Sequence, residues 1–202
     1  MNAAAIVLAA GASQRMGECK GLLSIGGAPA MVLAHVQALG TLCAPILVVT
    51  GAHHDALARA VGEAAIVVHN ADWQTTGPID SLRCALRALQ PVRVVVTPVD
   101  TPPVLPGDLQ RLLDHPGPAA LSHGGQPGHP ICLDTDFLLR IQQREPLPEG
   151  LRSLGSLPRV KASTPEVLMS WNTPKSWEEW LEAAGPARLC YASMGPGLER
   201  RT

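Results

Sequence analysis

Up to about residue 117, short unbroken apolar runs alternate with segments whose apolar residues recur every three or four positions. Ala3–Leu8 reads as a buried strand rather than a signal segment, because Gly11, Ser13, Gln14 and Arg15 follow it. Pro29 opens a predicted helix over Ala30–Leu39, apolar at Met31, Val32, Leu33, Val36 and Leu39. Strands are predicted at Pro45–Val49, Ala65–Val68 and Val92–Val96, and helices at His53–Val61, Ile79–Leu89 and Leu105–Leu113. Strand–helix alternation with continuous apolar strands predicts a parallel sheet covered on both faces. Right-handed crossovers make it doubly wound. Beyond residue 117 the rhythm changes. Strands are expected at Ala119–Ser122, His129–Leu133, Arg159–Ala162 and Glu166–Met169, with a turn over Gly124–Gly128. Helices are expected at Phe137–Gln142, Leu151–Leu154 and Pro174–Ala184. The predicted fold is α/β: a doubly wound, mostly parallel, Rossmann-like sheet with an antiparallel edge element. Residues 1–184 form one expected domain, and 185–202, with three Gly and two Pro, a C-terminal tail.

Composition narrows the function classes. In 202 residues, 46 % are hydrophobic and 16 % charged, which excludes a disordered chain or a coiled coil. Sixteen basic and 17 acidic residues leave a net charge of −1, so no electrostatic footprint for nucleic acid or a membrane surface exists. Aromatics at 3 % argue against base-stacking platforms. No apolar run is long enough for a transmembrane helix. The five Cys (19, 43, 84, 132 and 190) are scattered without CxxC or zinc spacing, so reduced thiols in a cytoplasm are expected.

Ligands of doubly wound sheets bind beyond the carboxyl ends of the strands. The first such loop runs Leu8-Ala9-Ala10-Gly11-Ala12-Ser13-Gln14-Arg15-Met16-Gly17 and on to Lys20. Small residues there let backbone N–H groups close on an anion, and Arg15 and Lys20 add two cations. The pattern suits a polyphosphate, although neither the P-loop nor the dinucleotide spacing is present. A plain glycine-rich turn with two solvated cations fits the same residues. Asp100 ends the fourth strand before Thr101-Pro102-Pro103; it suits a Mg²⁺ ligand or a turn-forming Asp. His53 and His54 are adjacent, diverge by about 100° on a helix, and do not share a metal.

Residues 8–23 resemble the signature loop of the nucleotidyltransferases that activate the molybdenum cofactor, within a wider group acting on sugar and methylerythritol phosphates. The resemblance extends over about residues 3–180. It implies that Leu8, Ala9, Ala10, Gly11, Ala12 and Ser13 bind nucleotide. Arg15 and Lys20 would hold the triphosphate and act catalytically with Asp100. Asp100, in the family's Asp-x-Pro, would bind Mg²⁺. Asn70, Gly77 and Ser81 lie in segments similar to those facing the base and ribose. His129, in Gly128-His129-Pro130, and Arg152, after Gly150, are similar to acceptor-binding positions. Trp171-Asn172-Thr173-Pro174 resembles the closing motif, in which Asn172 would offer Mg²⁺ a second oxygen; capping of the next helix by Asn172 and Thr173 fits equally.

The chain departs from the family at Pro148, where an Asp is usual, and at Ser170, Lys175 and Ser176, where carboxylates stand. The implied reaction moves a nucleoside monophosphate from a triphosphate to molybdopterin or its molybdenum form, releasing pyrophosphate. Ala10 favours CTP and Asn172 favours GTP, with CTP preferred. A transient contact with a molybdoenzyme is also implied. The rival readings are another acceptor, such as a sugar phosphate, and a non-catalytic member that binds nucleotide or cofactor.

Overall fold

The computed structural model describes residues 3–24, 29–89, 93–143 and 157–189. Its strands are β1 (Ala3–Ala9), β2 (Cys43–Thr50), β3 (Ile66–His69), β4 (Arg93–Pro98), β5 (Ala119–His123), β6 (Gln126–Asp134) and β7 (Arg159–Lys161). Its helices are α1 (Met31–Gly40), α2 (His54–Val61), α3 (Pro78–Leu86), α4 (Pro106–Asp114), α5 (Thr135–Gln142) and α6 (Pro174–Leu189). Single 3-10 turns occupy Lys20–Leu22 and Pro165–Leu168. All seven strands join one sheet in the order β3-β2-β1-β4-β6-β5-β7.

The period-two alternation of β1 decides the layering. Ala3, Ala5, Val7 and Ala9 face a core shared with Val32, Val36 and Leu39 of α1, Leu57 and Val61 of α2, and Leu109 and Leu112 of α4. Ala4 and Ile6 face the opposite core, with Leu82 and Leu86 of α3 and Phe137, Leu138 and Ile141 of α5. Small alanines on β1 let helices approach the sheet centre from both sides. The strand is therefore an unbroken apolar run, as expected for parallel strands buried on both faces. Among the described residues, no helix is long and apolar enough to cross a membrane.

Three expectations are corrected. The antiparallel element is not at the edge: β6 lies inside the sheet, antiparallel to both β4 and β5, while β7 adds a parallel edge beyond β5. A two-residue turn sets this reversal. Gly124 and Gly125 have φ of +56° and +81°, the left-handed pair that a tight hairpin needs. Glu166–Met169, expected as a strand, is replaced by the 3-10 turn Pro165–Leu168, in which only Val167 is buried. Pro165 provides no N–H for a ladder there. The last helix also continues five residues past the expected end at Ala184, to Leu189. The expected helix Leu151–Leu154 lies outside the described residues.

Candidate active site

β1 and β4 pair in parallel at the sheet centre, reaching Leu8 opposite Pro98. After β1 the chain proceeds to β2 and after β4 to β5, in opposite directions along the sheet, so a crevice opens beyond their carboxyl ends. A cleft of about 370 Å³ lies there. Its walls include Leu8, Ala9, Ala10, Gly11, Ser13, Lys20, Gly77, Ser81, Asp100 and His129 of the expected set, with Cys19, Gly21, Trp73, Thr76, Pro78, Pro98 and Val99.

Ser13 organises the first loop. It holds a φ of +55°, uncommon for a residue with a side chain. Its carbonyl accepts from Met16 N (2.9 Å) and Gly17 N (3.1 Å), and its Oγ accepts from Lys20 N (3.2 Å). Three bonds to one residue offset the strained backbone and bring Lys20 back toward the strand end. The Lys20 ammonium, with 14 % of its side chain exposed, donates to Asp100 Oδ2 at 2.8 Å and to Asn172 Oδ1 at 2.7 Å. Arg15, exposed at the rim, donates to the same Asn172 oxygen at 3.2 Å.

Asn172 reaches this point because it does not cap α6. Thr173 and Ser176 do so reciprocally: Ser176 N donates to Thr173 Oγ1 (3.3 Å) and Thr173 N to Ser176 Oγ (3.1 Å). The Asn172 amide oxygen is left for the two cations. Trp171 N donates to Asp100 O at 3.0 Å and ties the closing segment to the acidic loop.

The other expected residues sort by position. Ser81 and Gly77 line the cleft, whereas Asn70 is buried behind it. Asn70 Nδ2 donates to Ser81 Oγ (3.1 Å) and Thr76 Oγ1 (3.0 Å), and its Oδ1 accepts from Asp72 N (3.2 Å). Ala12 turns its carbonyl to His53 Nε2, 3.2 Å away. Arg152 lies outside the described residues. Sequence reasoning passed over Trp73, Thr76 and His53 as participants. Trp73 stands three positions after Asn70, in the segment likened to a base-facing one, and that nearness is the available signal.

His129 is delivered by a bulge. Between Ala120↔Ile131 and Ser122↔Pro127 the β5–β6 register slips, so β6 spends two extra residues around Gly128-His129-Pro130. The slip turns His129 toward the cleft. Burial pushes its imidazole down to about 4, although nearby Asp100 pulls the other way, and its buried Nδ1 has no partner among the described residues. His35, whose Nε2 lies 2.9 Å from Thr101 O, is likewise pushed to about 4 by burial.

Both rings stay neutral in the fold where the unfolded chain, titrating near 6.5, takes up protons. Their contribution is thus intact above pH 6.5 and is lost as the pH falls toward 4. The urea midpoint of the native chain is expected to fall between pH 7 and 4.5, and to fall less in His129→Gln. Equal acid slopes for the two proteins would contradict this.

The geometry can bind a polyphosphate between loop N–H groups and two cations, facing a carboxylate. On a sheet of this topology, that combination places the chain among the nucleotidyltransferases, enzymes that transfer the nucleotidyl group of a nucleoside triphosphate to an acceptor as pyrophosphate leaves. More narrowly, residues 5–163 match the MobA-like NTP transferase domain, and the chain belongs to that family. It is 28 % identical over 175 residues to the molybdenum cofactor cytidylyltransferase of Escherichia coli (strain K12), covering 84 % of this chain and 90 % of that protein. A nucleotidyl transferase from Methanothermobacter thermautotroptrophicus superposes with a TM-score of 0.75 at 25 % identity, over 90 % of this chain and 97 % of that one. A Mycobacterium tuberculosis H37Rv protein solved in complex with manganese shares the fold, with a TM-score of 0.67 at 21 % identity, over 91 % and 100 % of the two chains.

Proposed function

We propose that this chain transfers CMP from CTP to a phosphate of molybdopterin or its molybdenum form, with Mg²⁺, releasing pyrophosphate. The observation that carries the reading is the convergence of Asp100 Oδ2 and Asn172 Oδ1 on one ammonium, at 2.8 and 2.7 Å. Two oxygens that hold one cation suit a hard divalent ion, which is commonly held by one or two carboxylates plus substrate phosphates. When bound, Mg²⁺ would neutralise triphosphate charge and help align the departing pyrophosphate.

The chain's own groups do the remainder. Loop N–H groups from Ala9 to Ser13 cradle the phosphates. Arg15 holds the outer phosphates, and Lys20 neutralises charge that develops at the α-phosphate as an acceptor oxygen attacks in line. Gly77 and Ser81 border the base and ribose. His129, neutral and without a partner at Nδ1 among the described residues, lines the cleft and would border the acceptor. Positioning and charge neutralisation supply most of the rate, and no side-chain nucleophile is required. CTP is preferred over GTP because Ala10 stands in the loop and because of the likeness to a cytidylyltransferase.

Pyrophosphate release tests the reading, with CTP or GTP, with or without molybdopterin. Release with CTP that depends on acceptor and disappears in Asp100→Ala is expected. Acceptor-dependent release with GTP alone would reverse the base. Silence with both nucleotides, from folded protein and active acceptor, would overturn the assignment.

A further inference from the structure

A third buried cluster stands apart from the two layers flanking the sheet. It joins Trp171, Trp177 and Trp180 to Met16, Leu23 and Met31. Each indole meets the other two, with centroids 4.7 to 5.1 Å apart. Met16 sits between Arg15 and Gly17 in the phosphate loop, and Trp171 immediately precedes Asn172.

Regular structure does not hold this part of the loop. Its bonds to Ser13 are short-range, and the Arg15–Asn172 contact is a single exposed bond of 3.2 Å, of a kind that contributes little alone. The firm attachment is apolar: Met16 is 4 % exposed and Leu23 6 %, both within the indole cluster. The same cluster anchors α6, and Trp171 N bonds Asp100 O.

We infer that Trp171, Trp177 and Trp180 are positioning residues for the nucleotide site. The triad sets Arg15 and Asn172 against Lys20 and Asp100, and its indole emission reports nucleotide binding. This rests on the reading of residues 9–20 as the triphosphate loop.

Equilibrium dialysis of CTP with Mg²⁺ tests the affinity. Trp180→Ala is expected to raise the Kd at least about tenfold. Trp180→Phe should bind within about threefold of the parent, because it keeps an aromatic face and removes a buried indole N–H that lacks a partner among the described residues. Leu109→Ala, which opens a cavity in the other core, should lower the Tm and leave the CTP Kd unchanged. A folded Trp180→Ala chain that binds CTP like the parent overturns the inference, as does an equal loss of affinity in Leu109→Ala.

A second measurement leaves the triad intact. Of four Trp residues, Trp73 alone lies outside it, so Trp73→Phe isolates the triad's emission. CTP with Mg²⁺ should change that emission saturably, with the midpoint that dialysis gives for the same variant. Unchanged emission while CTP binds overturns the inference even where Trp180→Ala fails to fold. Failure of the parent chain to bind CTP would instead remove the triphosphate-loop reading, and the inference with it.

Discussion

Lys20→Ala is expected to lower acceptor-dependent pyrophosphate release by about a thousandfold, the upper range for removing one preorganised donor to developing charge. The ammonium bridges Asp100 Oδ2 and Asn172 Oδ1 and is brought back to them by the bond from Lys20 N to Ser13 Oγ. Alanine therefore removes both the charge and the group that draws the two loops together. Lys20→Arg should restore little. A planar fork does not fit between two oxygens already 2.7 and 2.8 Å from a compact ammonium. Steady-state rates at saturating CTP, Mg²⁺ and acceptor check this. A Lys20→Ala rate within about tenfold of the parent would remove Lys20 from the catalytic set.

Gly128→Ala is expected to give the largest structural effect. A Cβ there would stand 2.0 Å from Val167 O and 2.6 Å from Val167 C. Both are backbone atoms, so no side-chain rotation relieves the clash. Relief requires the β6 bulge to part from the turn Pro165–Leu168. Overpacking of this kind costs about 3 kcal/mol or more. For a chain of this length that lowers the Tm by roughly 6–12 °C. His129 follows Gly128 directly, so the acceptor KM should rise more than the CTP KM in whatever folded protein remains. Calorimetry and paired KM measurements decide it; a Tm within about 2 °C of the parent would mean that the close approach is dispensable.

The parallel half of the sheet was legible because its cause is local. Runs such as Ala3–Leu8 and Val94–Val96 carry their own two-face burial, and the helices between them carry their own spacing. The place of β6 was not legible. Which neighbours a strand takes depends on a Gly124-Gly125 hairpin and on pairing with β4, 35 to 41 residues earlier in the chain. The apolar run Val167-Leu168-Met169 reads as a short strand, while Pro165 and one buried residue set a 3-10 turn instead.

The candidate site divides in the same way. Gly11, Ser13, Lys20 and Asp100 could be picked out because small residues, cations and a carboxylate at strand ends have a local chemical reason. Asn172 was readable equally as a helix cap. Only the fold decides between these, by giving the cap to Thr173 and Ser176 and placing Asn172 Oδ1 on Lys20, 152 positions away. Trp73, Thr76 and His53 act through shape and through the bond to Ala12 O, for which a sequence offers little signal.

The attachment of α6 to the loop after β1 has a consequence for biosynthesis. Lys20 and Asp100 leave the ribosome long before Asn172 and the three indoles. At about 5–20 residues per second, the nascent chain exists for several seconds with β1, β4 and their loops made but Asn172 still to come. During that interval the loop cations have Asp100 alone for a partner, and Met16 and Leu23 have no apolar cover from α6. Under the proposed function, nucleotide capture is thus expected only after Asn172 and the indoles have been made. A ribosome stalled before residue 171 should display a chain that has formed much of its sheet and does not retain CTP.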